Sequence, residues 1–158
     1  VSGPGGSGDW AFKQQVTFVE SSGIKWMNLG LNLGEGAETH TESVWADLSA
    51  MDSVTFNISG SGTFEFFVQS EYTLDDHFEY FVSIELAGGW NQVTIRPGNF
   101  ERREGETDDR DTLTFEKAST RIAAVVFRFL DEGEFIIDDL KIHGIEVIEF
   151  QPGADSGL

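Results

Sequence analysis

Residues 121–144, RIAAVVFRFLDEGEFIIDDLKIHG, decide the fold class. Val125, Phe127 and Phe129 alternate with Ala124, Val126, Arg128 and Leu130, and Asp131-Glu132-Gly133-Glu134 supplies a turn before Phe135 opens a second apolar run. A period of two predicts two β-strands. If a two- or four-residue loop closes them into a hairpin, Phe127 faces Asp138 and Arg128 faces Ile137; a three-residue loop undoes that parity. One face then holds Val125, Phe127, Phe129, Ile136, Leu140 and Ile142, with Asp138 among them. The other carries Arg128, Asp139, Lys141 and His143 amid Val126 and Ile137. The first reads as a core face, and the second as a face that can hold a polar ligand.

The same alternation extends outward along the chain. Met27, Leu29, Leu31 and Leu33 alternate with Trp26, Asn28, Gly30 and Asn32, and Val54, Phe56 and Ile58 with Ser53, Thr55, Asn57 and Ser59. Further strands are expected at 16–20, 63–70, 78–86, 92–96 and 145–150, separated by charged or glycine-rich turns such as Ser59-Gly60-Ser61-Gly62 and Ala87-Gly88-Gly89. About nine strands with no sustained helical period predict an all-β, two-sheet antiparallel β-sandwich. No internal repeat is visible. Residues 1–8, VSGPGGSG, and 151–158, QPGADSGL, have the composition of flexible linkers, which marks 9–150 as a module joined to other domains of a longer chain.

The 158 residues, 39% hydrophobic with 14 Phe, suffice for one well-filled domain. No stretch approaches the roughly 20 consecutive apolar residues of a membrane-spanning helix, so no membrane insertion is expected. The chain does not open with a basic-then-apolar signal, which by itself does not argue for the cytoplasm. Without Cys the redox compartment is unreadable. Twenty-eight acidic residues against 10 basic ones give a formal charge of −18, the wrong sign for phosphate contacts, so nucleic acid and anionic membrane are excluded as expected partners. A neutral polymer, a cation or a saline surrounding fits that charge, as does a role in solubility alone.

The succession DLSAMDSVTFNISGSG at 47–62, GWNQVTIRPGNF at 89–100, IAAVVFRF at 122–129 and FIIDDLKI at 135–142 resembles the β-jelly-roll carbohydrate-binding modules. The likeness is to the family 11 modules and the related complex I intermediate-associated domains of the galactose-binding-like fold, and it covers roughly 47–144. The resemblance implies a non-catalytic module of a larger secreted or extracellular protein, binding a polysaccharide of β-glucan type along a groove on one sheet and often holding structural calcium. Such grooves usually present several exposed aromatic rings, often tyrosines, and this chain has only Tyr72 and Tyr80. The rival expectation is a structural or protein-interaction sandwich without a sugar groove.

Arg128 stands in a run otherwise free of charge. Its fork of donors suits vicinal sugar hydroxyls, or an internal ion pair with Asp139 diagonally across the hairpin, or both. His143, further along that face, is a hydroxyl donor or a strand-end surface residue. Trp26, beside Asn28 and Asn32 and opposite Met27, Leu29 and Leu31, is either a stacking ring flanked by amides or a ring covered by a loop. Tyr72, in the loop with Asp75, Asp76 and His77 close by, is better placed than Tyr80 to meet a ligand; Tyr80 is also a candidate, although sharing a face with Phe78, Val82 and Ile84 favours its burial. The resemblance implies that Trp90 is structural, since in the related modules the Gly-Trp position starts a strand and packs at one end of the sandwich. The dense charges of 101–111 read as a solvated loop; if it rims the groove, Arg102, Arg103 and Arg110 can meet an acidic polysaccharide such as alginate.

An ionised Asp138 on a core face costs several kcal/mol unless paired or metal-bound. The resemblance implies a calcium ion there, with oxygens from Asp9 and Glu20 in the N-terminal region; hydrogen bonds from backbone amides are the alternative. Nothing points to catalysis. There is no Cys, Gly-x-Ser-x-Gly elbow, His-Glu-x-x-His or phosphate loop, the His residues at 40, 77 and 143 lack metal-ligand spacing, and among 28 acids a carboxylate pair of glycosidase type proves nothing.

Overall fold

The computed structural model describes residues 11–18, 23–33, 45–73, 79–103, 113–144 and 148–149. Eight strands lie within them: β1 (Phe12–Val16), β2 (Met27–Asn32), β3 (Ser53–Ser70), β4 (Tyr80–Ile95), β5 (Glu101–Arg102), β6 (Ile122–Phe129), β7 (Gly133–His143) and β8 (Ile148–Glu149). One helical turn, α1 (Phe115–Ala118), precedes β6 and is capped at its N-terminus by the Thr114 hydroxyl, which accepts from the Lys117 amide. No described helix is long and apolar enough to cross a membrane.

β3 and β4 form one long antiparallel hairpin, from Val54 opposite Ile95 to Val68 opposite Tyr80. On the free edge of β3, β7 pairs with its first half and β6 with its second half. β1 and β8 extend the β7 side, β2 lies outside β6, and β5 pairs with the start of β4. The hairpin therefore contributes one half to each of two sheets. Their inner faces meet through phenylalanines: Phe56 of the first half lies 5.9 Å from Phe66 and 5.1 Å from Phe127 of the other sheet, the latter edge to face. Phe56, Phe64, Phe66, Phe127, Phe129 and Phe135 are all essentially inaccessible. Truncating one of these rings costs about 3–5 kcal/mol, since the packed neighbours close the hole only in part. The chain crosses between sheets from β1 to β2 and from β6 to β7, so the architecture is the all-β jelly-roll sandwich expected from the strand pattern.

Three local expectations are corrected. Ser59-Gly60-Ser61-Gly62 and Ala87-Gly88-Gly89 do not end strands; β3 and β4 run through them as 18- and 16-residue strands with a register shift between Ser59 and Ser61. The glycines serve the bend instead. A Cβ on Gly60 (φ +152°) would stand 2.6 Å from the Phe135 ring, and one on Gly62 (φ +105°) would stand 2.7 Å from Asp131 Cβ. The hairpin drawn between β6 and β7 does not form either. Asp131 sits at the crossing between sheets, its carboxylate accepting from the Thr63 amide at 2.7 Å, while the Leu130 amide donates to the Thr63 carbonyl at 3.0 Å.

The third correction concerns parity in β7. Phe135 and Ile137 face the core, and so do Leu140 and Ile142, although strict alternation cannot join 137 to 140. A bulge reconciles them: Asn57 pairs with Asp138 and Thr55 with Lys141, so Asp139 and Leu140 together oppose Phe56. Asp139 takes φ +56°, a conformation that Asp tolerates better than most residues. Ile136, expected in the core, is only half-buried, and Ile137, expected on the ligand face, is 1% exposed.

Candidate functional site

The outer face of the β2–β6–β3–β4–β5 sheet follows from the period of two. With Phe127 and Phe129 turned inward, Arg128 and Val126 must turn outward, and pairing aligns them in rows. One row runs Asn28, Arg128, Glu65, Ser83; the next runs Gly30, Val126, Phe67, Phe81. Phe67, Ala124 and Val126 are 3–5% exposed and pack with Phe81 into a small apolar cluster on this outer face, separate from the main core. Phe67 and Val126 floor a groove of about 570 Å³ whose lining includes Trp26, Asn28, Gln69, Glu79, Arg103 and Arg128. Trp26 stands at the entry to β2 with 48% of its surface open.

Charge is arranged around that floor as a closed circuit. Arg128 grips Glu79 through both terminal nitrogens, at 2.9 and 2.8 Å, and reaches Glu65 at 3.5 Å. Arg103, which immediately follows β5, donates to Glu65 at 2.5 Å and approaches Glu79 at 3.4 Å. The side chains of Glu65, Glu79 and Arg128 are only 10–16% exposed, so each carboxylate needs the guanidinium groups beside it. Planar stacking completes the site. The Arg128 guanidinium lies 4.6 Å from the Phe67 ring centre and 5.4 Å from that of Trp26, its Nε donates to Asn28 Oδ1 at 3.2 Å, and Arg103 covers Phe81 at 4.3 Å. The result is a rigid guanidinium plane beside an exposed indole over an apolar floor, which suits the flat faces and hydroxyl rims of sugar rings.

Of the residues singled out from sequence, Arg128, Trp26 and Asn28 come together in this groove. Asp139 and His143 do not, because β7 belongs to the other sheet. Asp139 pairs with Lys141 at 2.8 Å, which corrects the expected Arg128–Asp139 contact, and His143 Nε2 shares a hydrogen bond of 2.8 Å with the Thr55 hydroxyl. Tyr80 faces the core: it is 6% exposed, its hydroxyl donates to the Leu113 carbonyl, and its ring meets Phe115 edge to face. Burial raises its pKa above 10.0. Its placement on a ligand face is thereby corrected in favour of the buried ring. Tyr72 stands beside α1, outside the groove lining, with the Lys117 ammonium 5.0 Å from its ring centre. A hydrogen bond with Lys117 lowers its pKa. Trp90 is not packed away at a sandwich end; it is 41% exposed opposite Ser59.

Asp138 is buried at 5% on β7, opposite Asn57, while Asp9 and Glu20 lie outside the described residues. Among the described residues no three His, Cys, Asp or Glu side chains are grouped to hold a metal ion. Sequence reading missed Glu65 and Glu79, and it placed Arg103 on a solvated loop. Glu65 carried a visible signal, a lone charge inside the run Phe64-Glu65-Phe66-Phe67-Val68 that is the counterpart of Arg128 in its own apolar run. Glu79 carried none.

No protein-family model matches the chain, and no curated protein sequence does. Among solved structures it is similar to a family 11 carbohydrate-binding module from Clostridium thermocellum in complex with a β-1,3-1,4-mixed-linked tetrasaccharide. The identity is 16% and the TM-score 0.48, over 84% of this chain and 95% of that one. A second similar structure, the family 11 module of the cellulosomal cellulase Lic26A-Cel5E of Clostridium thermocellum, gives 16% and 0.48 over 85% and 96%. Both of these solved structures are family 11 carbohydrate-binding modules.

Proposed function

We propose that this chain is a non-catalytic carbohydrate-binding module that takes a polysaccharide of β-glucan type in the groove around Arg128 and tethers a larger secreted protein to it. The observation that carries the reading is the exposed Trp26 ring beside a guanidinium held flat by Glu79, Glu65 and Asn28, above the apolar floor of Phe67 and Val126. A pyranose ring stacks on the indole, while Asn28, Gln69 and the rim of Arg128 meet its hydroxyls. Affinity from such contacts is modest, and no covalent step is involved. A structural calcium ion at Asp138, completed by Asp9 and Glu20, belongs to this proposal, and a fall in melting temperature on chelation is its test.

Affinity electrophoresis against mixed-linkage β-glucan, xyloglucan, laminarin, xylan and alginate tests the reading. Retardation by a neutral glucan is expected, and Trp26→Ala should reduce it on the order of tenfold, the loss of one stacking contact of about 1–2 kcal/mol. Retardation unchanged by Trp26→Ala and Asn28→Ala would move the site elsewhere. One observation favours a structural or protein-interaction module instead: much of the Arg128 donor capacity is used internally. Absence of retardation by every polymer would support that alternative.

A further inference from the structure

The groove carries two arginines, yet its charge circuit is balanced. Arg103, Glu65, Arg128 and Glu79 alternate in sign around a ring whose four ionic contacts measure 2.5, 3.5, 2.8 and 3.4 Å. Each guanidinium faces two carboxylates, and each carboxylate faces two guanidiniums. We propose that Glu79, with Glu65 behind it, is a specificity-determining residue that makes the groove floor electrically neutral and so excludes carboxylated sugars from a site that its arginines would otherwise open to them. This rests on the sugar-binding reading of the groove.

The argument is geometric. A uronate carboxylate seeking the forked edge of Arg128 finds it taken by both oxygens of Glu79, at 2.9 and 2.8 Å. To bind, the sugar must displace a carboxylate of the protein or sit beside it, and like charges in this partly desolvated floor repel. A neutral sugar meets no such opposition. Glu79 lines the groove, and Glu65 stands opposite Arg128 on the central strand β3. Replacing Glu79 by Gln keeps the shape and removes one negative charge, which leaves the ring with an excess positive charge and frees part of the guanidinium edge. The exclusion then becomes an attraction.

The experiment compares a neutral soluble β-glucan with the same polymer oxidised to the carboxylate at its primary hydroxyls, at low ionic strength, by affinity electrophoresis and calorimetry. The native protein should bind the oxidised polymer on the order of tenfold more weakly than its neutral parent, and Glu79→Gln should gain on the order of tenfold for the oxidised polymer, a gain erased by ~0.5 M salt. Glu65→Gln should shift in the same direction and serves if Glu79→Gln does not fold. Glu134→Gln removes the same charge from the opposite sheet, where Glu134 pairs with Lys13 at 2.5 Å, and should gain nothing. Equal native affinity for both polymers overturns the proposal. So does a folded Glu79→Gln or Glu65→Gln without the gain, or a gain that Glu134→Gln reproduces. If the native chain binds no neutral polymer, the sugar-binding reading falls by itself, and the gain or its absence in the two groove variants still decides the role of the ring.

Discussion

The two outer faces of the sandwich contrast. Both bear charge, but on the β7 face the contacts seen among the described residues are short-range pairs: Lys13 with Glu134 on adjacent strands, Lys141 with Asp139 two residues away, and Thr55 with His143. On the groove face, charges from β3, β6, the residue before β4 and the residue after β5 converge on one ring with an apolar floor beneath. Side chains that share partners are coupled, and a change in one is felt by three. Each face also bears an exposed tryptophan, Trp26 at 48% and Trp90 at 41%, but among the contacts of the described residues it is Trp26 that stands beside an oriented guanidinium.

The contrast exists because β3 and β4 bend from one sheet into the other, so the largest expected effect comes from breaking the bend. Gly60→Ala puts a methyl 2.6 Å from the buried Phe135 ring at φ +152° and should destabilise by about 3 kcal/mol in urea unfolding. Gly88→Ala, also at positive φ but with nothing within 4 Å, should cost about 1 kcal/mol, the backbone strain alone. Equal losses would remove the close approach as the reason for Gly60.

Next in size is the ring against the isolated pair. Glu79→Ala leaves Arg128 and Arg103 short of a partner in a site 16–34% exposed and should cost about 2 kcal/mol. Asp139→Ala removes a half-buried pair at a position of positive φ and should change stability by at most about 1 kcal/mol. A double-mutant cycle on Glu79 and Arg103 should show coupling above about 0.5 kcal/mol, and additivity there would dissolve the ring into separate pairs. For the tryptophans, Trp90→Ala should leave polysaccharide retardation within about twofold of the native protein while Trp26→Ala reduces it. Loss of binding in both would spread the site over both faces.

The smallest expected effect is in alkaline titration, where Tyr72 and Tyr80 are the only phenols of the chain. The Lys117 hydrogen bond lowers Tyr72, and burial raises Tyr80. Ultraviolet absorbance should show one phenol ionising below the ordinary tyrosine range and one above it, with Tyr72→Phe removing the first. The signs oppose: the Tyr80 contribution to stability is present below its unfolded pKa and is lost as pH rises through its folded value. The Tyr72 contribution is present above its unfolded pKa and is lost as pH falls through its folded value.

Much of this was legible in the chain. The alternation of Val125, Phe127 and Phe129 set β6 facing the core and Arg128 facing outward, and Met27, Leu29 and Leu31 did the same for β2, with Asn28 on the Arg128 side. Such parity is a property of neighbouring residues, so a local reading finds it. β7 defeated the same reading because a bulge at Asp139 changes parity midway, and a bulge is visible only against the partner strand. The glycines at 60, 62, 88 and 89 misled for a related reason. Locally they read as turns, whereas all four take positive φ inside long strands, and Gly60 and Gly62 let the backbone pass close to Phe135 and Asp131.

By itself, then, the sequence determined an all-β chain, the strands with intact alternation, the phenylalanine core, and the outward place of Arg128 with Asn28. These follow from side-chain period and hydrophobicity, which act over a few residues. Only the tertiary structure decided that β6 and β7 part into different sheets, that Asp139 and His143 leave the Arg128 face, and that Glu65, Glu79 and Arg103 arrive there. Pairing between residues as distant as Glu65 and Arg128 depends on which strand edges meet, and that is settled by burying both sheets against one core at once.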